Sequence, residues 1–124
     1  MEANRGITDR MPPAAIGCQI LHSGFVDAAR LADWLEDAEV LLVDVREPRE
    51  FERSRIAGSF LVPLSRFDLH TFPRVDGLKM VVICQNGFLS PGVGNELRAA
   101  GYPDVYVLDG GLGAWVSAGF ELEE

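Results

Sequence analysis

Short apolar runs alternate with amphipathic stretches along the chain. Val40-Leu41-Leu42-Val43 and Met80-Val81-Val82-Ile83 are continuous apolar runs, rich in β-branched residues, which reads as buried strand. Val105 to Leu108 reads the same way, and Ile16 to Leu21 and Ser59 to Val62 predict two further short strands. Val26, Ala29, Leu31, Ala32 and Leu35 recur near a 3.6-residue period, predicting a helix over Val26 to Ala38. Pro48 to Arg53 predicts a short helix, and Ser65 to His70 a helical turn. After Ile83 the chain runs through Cys84-Gln85-Asn86-Gly87-Phe88-Leu89 to Ser90-Pro91, which reads as an N-cap and first helical residue. Val93, Leu97 and Ala100 share a face of that helix, and Gly101 and Pro103 end it. Gly110-Gly111 breaks the chain before a last helix, Leu112 to Ala118, around Trp115. Strands alternating with helices predict an α/β fold with a central, mainly parallel sheet and helices on both faces.

Length changes this picture little: 124 residues fit one domain, placed here at residues 16–124 behind a flexible tail at 1–15. Charge narrows the partners. A net charge of −8 disfavours nucleic acid and anionic membranes. No stretch approaches the roughly 18 apolar residues of a membrane span, and the first residues lack the apolar core of a secretory signal. The two cysteines, Cys18 and Cys84, form no C-x-x-C pair and no cluster with histidine. Neither a metal site nor a cofactor is expected. The expected location is the reducing cytoplasm, with one reactive thiol and no disulfide.

Cys84 carries the candidate chemistry. It sits at the carboxyl end of a predicted strand, and its loop leads into a helix N-terminus. Ligands of parallel sheets bind beyond such strand ends, and helix N-termini favour anions. A thiol held there ionises more easily, and the thiolate is the nucleophile. The competing reading is a buried packing cysteine, which is the reading taken for Cys18. Asp44 and Arg46, at another strand end, either touch substrate or tie strand ends and loops together by charge-assisted hydrogen bonds. His22 and His70 read as ordinary surface or turn residues. Phe88 and Leu89 are unusual at a loop tip; they either fold inward or form an apolar rim for a partner or an apolar thiol.

Four blocks in order resemble the rhodanese family of sulfurtransferases. They are Leu42-Val43-Asp44-Val45-Arg46-Glu47-Pro48-Arg49-Glu50-Phe51; Ile56-Ala57-Gly58-Ser59; Val81 to Gly87 with Ser90; and Leu108-Asp109-Gly110-Gly111 followed by Ala114-Trp115 and Gly119. The resemblance implies a single domain that works through a persulfide on Cys84, with Gln85, Asn86, Gly87, Phe88, Leu89 and Ser90 as the substrate-binding loop. It implies a small donor such as thiosulfate, a thiol or cyanide acceptor, and leaves room for a protein donor or acceptor. Many members carry arginine where this loop has Gln85 and Leu89, so attraction of an anionic donor is expected to weaken. Ser54-Arg55 stands where the family often has Gly-His, and Arg55 is a candidate to restore positive charge near the pocket. The runner-up function is a non-catalytic rhodanese-like binding module. A cysteine phosphatase or arsenate reductase needs C-x5-R to grip its oxyanion, and the matching position here is Ser90.

Overall fold

The computed structural model describes residues 24–124. The predicted first strand at 16–21, the tail, Cys18 and His22 lie outside them. The strands are β1 (Phe25–Val26), β2 (Val40–Asp44), β3 (Phe60–Leu61), β4 (Lys79–Ile83) and β5 (Val105–Leu108). The helices are α1 (Ala28–Glu36), α2 (Pro48–Arg53), α3 (Ser90–Ala99) and α4 (Gly111–Ser117). All strand pairs are parallel, in the order β1-β5-β4-β2-β3.

The central apolar runs are continuous because each face of the sheet is covered. Leu42, Val81, Ile83 and Leu108 point into one core with Leu31 and Trp34 of α1 and Leu112 and Trp115 of α4. Leu41, Val43, Met80, Val82 and Val105 point into the other with Val93 and Leu97 of α3 and with Phe72. The period-two alternation of side chains therefore feeds two apolar layers. Gly94 lets α3 approach the sheet closely, since a Cβ there would lie 2.9 Å from a Val107 methyl.

The start of the predicted 26–38 helix is different. Phe25 and Val26 pair with Val107 and Leu108 as an edge strand. The helix begins only after Asp27, whose carboxylate accepts from the Arg30 N–H at 2.8 Å. A two-residue strand is too short to show periodicity, which explains why its valine merges with the helical pattern. The strand expected at 59–62 is only Phe60–Leu61 at the opposite edge, and the turn expected at 65–70 is a short 3-10 helix at Leu64–Arg66. The last helix starts one residue earlier than predicted, at Gly111. β2, the α2 span and β5 lie where the pattern puts them, and the Glu50 carboxylate accepts from the Glu47 N–H at the α2 start.

Candidate active site

Parallel pairing brings the carboxyl ends of β2 and β4 side by side, with Asp44 in register with Ile83. Cys84 is the next residue after β4 and is 2% exposed. Six residues later α3 starts, so the chain must curl tightly around the sulfur. The Gly87 N–H donates to Cys84 Sγ at 3.1 Å, and Ser90 Oγ lies 3.3 Å from it. Ser90 is buried and is the first residue of α3, with Leu89 preceding it as the cap. Its expected capping role is corrected: the hydroxyl faces the sulfur, and no side chain caps this helix.

Two opposed effects set the Cys84 thiol. Burial pushes its pKa up. The Ser90 hydroxyl and backbone bonds at Ser90, Leu89 and Gly87 favour the thiolate and prevail, holding the thiol below its ordinary value. The cradle is made of dipoles, since none of Gln85, Asn86, Gly87, Phe88, Leu89 or Ser90 is charged. It can stabilise one negative sulfur atom without a cationic side chain.

The underside of the loop rests on the start of α4. The Leu112 N–H donates to the Cys84 carbonyl at 2.9 Å, and the Gly113 N–H to that of Gln85 at 3.1 Å. Gly111, at φ +64°, leaves no room for a side chain: a Cβ would lie 2.6 Å from the Cys84 carbonyl oxygen and 2.7 Å from the Gly87 nitrogen. Along the sequence Gly110-Gly111 reads only as a chain break and as part of the fourth block. The signal available was its place directly after a second strand end.

Asp44 and Arg46 form a buried pair. Arg46 Nε lies 3.0 Å from each Asp44 carboxylate oxygen, and Nη2 lies 2.8 Å from Oδ2. Nη2 also donates to the Ser54 carbonyl, and Nη1 reaches Gln85 Oε1 at 3.4 Å. The geometry is that of a tie between β2, the segment after α2 and the first loop residue beyond Cys84. Arg55 is turned elsewhere. Its Nη1 donates to the Phe51 carbonyl at 2.9 Å, its Nε lies 3.2 Å from Glu123 Oε1, and its backbone pairs with Glu123. These contacts engage it with α2 and the C-terminal segment, so the expectation that it brings charge to the pocket is corrected.

The remaining loop side chains face outward. Gln85 and Asn86 are exposed, and Asn86 Oδ1 accepts from the Phe88 N–H at 3.1 Å, a local turn. Phe88 and Leu89 are exposed, which sets aside the inward-folding alternative. Among the described residues, no helix is long and apolar enough to cross a membrane.

A family profile described as the rhodanese-like domain matches residues 27–118. The chain is 41% identical over 80 residues to an uncharacterized protein of Synechocystis, a match covering 64% of this chain and 45% of that protein. It is thus aligned to less than half of that relative's length. It is 30% identical over 90 residues to the thiosulfate sulfurtransferase GlpE of Tolumonas auensis, covering 73% of this chain and 85% of that one. Among solved structures, a rhodanese-related protein from Thermoplasma volcanium superposes with a TM-score of 0.70 at 29% identity, covering 80% of this chain and 96% of that one.

Proposed function

The chain belongs to the rhodanese-like domain family, and we propose that it is a sulfurtransferase carrying sulfane sulfur on Cys84. The observation that carries this reading is the pair of contacts to Cys84 Sγ, 3.1 Å from the Gly87 nitrogen and 3.3 Å from Ser90 Oγ. A packing cysteine has no need of converging donors, whereas a nucleophilic thiolate does.

In the first half-reaction the Cys84 thiolate attacks the outer sulfur of thiosulfate or a related donor. The new S–S bond forms as the donor's S–S bond breaks, and sulfite leaves with the electron pair. The product is the Cys84 persulfide anion, held by the same donors. In the second half-reaction a thiophilic acceptor attacks the outer sulfur. Cyanide leaves as thiocyanate, and the electron pair of the broken bond returns to Cys84 as thiolate. Each half-reaction conserves charge and needs no cofactor.

The reducing cytoplasm suits a carrier whose thiol must stay free. The thiosulfate sulfurtransferase named among the relatives supports the donor class. The phosphatase alternative lacks its arginine, because Ser90 holds that position, its hydroxyl 3.3 Å from the sulfur.

The test is intact mass spectrometry after exposure to thiosulfate, then to cyanide. The expected result is a gain of one sulfur atom at Cys84, removed by cyanide, and absent from Cys84→Ser while that variant stays folded. Turnover in Cys84→Ser near the wild-type rate would remove Cys84 as the carrier. A folded wild-type protein that takes up no sulfur would favour the binding-module reading, for which the neutral, partly apolar loop is the supporting feature.

A further inference from the structure

The chemistry above leaves the tip of the Cys84 loop unused. Phe88 is 81% exposed and Leu89 56% exposed, while Cys84 between them and the sheet is 2% exposed. The outward direction is built in. Asn86 Oδ1 holds the Phe88 N–H at 3.1 Å. Beneath the loop, backbone fills the space, since even a Cβ on Gly111 would lie 2.6 Å from the Cys84 carbonyl oxygen. The underside of the loop is thus backbone packed on the start of α4, and the exposed tip side chains lie away from it. The residues from Gln85 to Ser90 are also uncharged.

Resting on the sulfurtransferase reading, we infer that Phe88 and Leu89 are a docking lip for a polypeptide acceptor: a cysteine-bearing segment with apolar residues flanking its thiol. The lip belongs to the loop that curls around Cys84 Sγ, so a segment that settles on it is brought beside the reacting atom. Small-molecule sites are concave, whereas this lip protrudes. A small thiol that reacts at Cys84 leaves Phe88 in water. A polypeptide segment spans both places: its thiol reacts, and its flanking side chains cover the lip. Exposed apolar surface of this kind marks contact sites, and aromatic side chains are frequent anchors of protein interfaces. In the step itself the acceptor thiolate attacks the outer sulfur of the Cys84 persulfide. A bond forms between the two attacking and attacked sulfurs, the Cys84 S–S bond breaks, and its electron pair stays on Cys84 Sγ. The products are the Cys84 thiolate and the acceptor persulfide anion, with no net oxidation.

The experiment loads the full chain with thiosulfate and follows single-turnover transfer to four probes. These are cyanide, benzyl thiol, and two peptides of equal length and charge whose single cysteine is flanked by leucines or by serines. The expected result is transfer to the leucine-flanked peptide about tenfold faster than to the serine-flanked one, a difference of the size a modest apolar contact gives. In Phe88→Ser/Leu89→Ser that ratio falls to about one, and transfer to cyanide falls much less than transfer to the leucine-flanked peptide. Sulfur loading of the variant, read by intact mass, reports that it is folded and reactive; Phe88→Ala and Leu89→Ala singly take its place if it does not load. A wild-type ratio near one, a ratio that survives in the variants, or equal losses with cyanide and peptide would overturn the inference. Benzyl thiol showing the same gain and the same loss would overturn it in favour of small apolar thiols. Normal cyanide turnover with no peptide preference sinks the inference alone. No sulfur loading in the wild type sinks the sulfurtransferase reading and the inference with it.

Discussion

β2 and β4 end side by side, and the two ends solve burial in opposite ways. The β2 end buries a full charge pair, with Asp44 0% and Arg46 5% exposed. Both Asp44 carboxylate oxygens face Arg46, and the guanidinium also holds the Ser54 carbonyl. The β4 end buries a single thiol among donors and no opposite charge. A buried charge with a matched partner has nothing left to offer a substrate. A buried sulfur met only by donors is stabilised when it becomes negative, and that is the form that reacts. Neighbouring strand ends, one register step apart, are thus an inert fastening and a reactive centre. A side-chain contact links them, Arg46 Nη1 to Gln85 Oε1 at 3.4 Å.

The largest way to break the contrast is to open the charge pair. Arg46→Met leaves Asp44 buried without its cation and should cost about 3–5 kcal/mol, read as a lower urea midpoint at unchanged slope. Asp44→Leu/Arg46→Met removes both charges and should recover most of that loss. Sulfur transfer to cyanide, expressed per folded molecule, should change far less than stability in both variants. A collapse of turnover in the stable double variant would show that the pair takes part in the chemistry through Gln85.

Ser90→Ala acts at the other end and should do the reverse, with a small stability loss and a changed pH profile. The wild-type thiol lies below its ordinary pKa because hydrogen bonds to the thiolate outweigh burial. Activity therefore persists below the ordinary thiol range and is lost as pH falls through the native pKa. Removing the Ser90 hydroxyl deletes a bond that favours the charged form, so the pKa rises and the acid limb of the pH–rate profile moves to higher pH. Turnover should fall at neutral pH and recover at alkaline pH. An unshifted limb with a uniformly lower rate would mean that Ser90 positions the sulfur and does not tune it.

The smallest effect comes from adding charge to the neutral end. Leu89→Arg places a cation on an exposed position of the loop, where screened attraction is worth about 0.2–1 kcal/mol. The thiosulfate KM should fall about two- to fivefold at low salt, with less change in kcat, and the gain should fade as salt is added. A gain confined to kcat would place the charge effect in the transition state.

The apolar runs determined the central strands by themselves. Val40 to Val43, Met80 to Ile83 and Val105 to Leu108 are long enough to show that both faces are covered, and that alone specifies a parallel, helix-flanked sheet. The position of Cys84 between a strand and a helix was equally legible, because the run, the loop and Ser90-Pro91 are contiguous in the chain. Edge strands were not: Phe25–Val26 is a strand only because Val107 and Leu108 of β5 offer it hydrogen-bond partners. The tertiary structure also decided what each polar group does. Ser90 could cap a helix or face a sulfur, and the curl of the loop chose the sulfur. Arg55 could reach the pocket or the C-terminus, and the pairing of its backbone with Glu123 chose the C-terminus. Gly111 looked like a chain break and proved to be the floor of the Cys84 loop, a contact spanning 27 residues that local pattern cannot carry. Periodicity along a chain reports which side of an element is apolar, whereas the orientation of a hydroxyl, a guanidinium or a loop depends on atoms brought close only by folding.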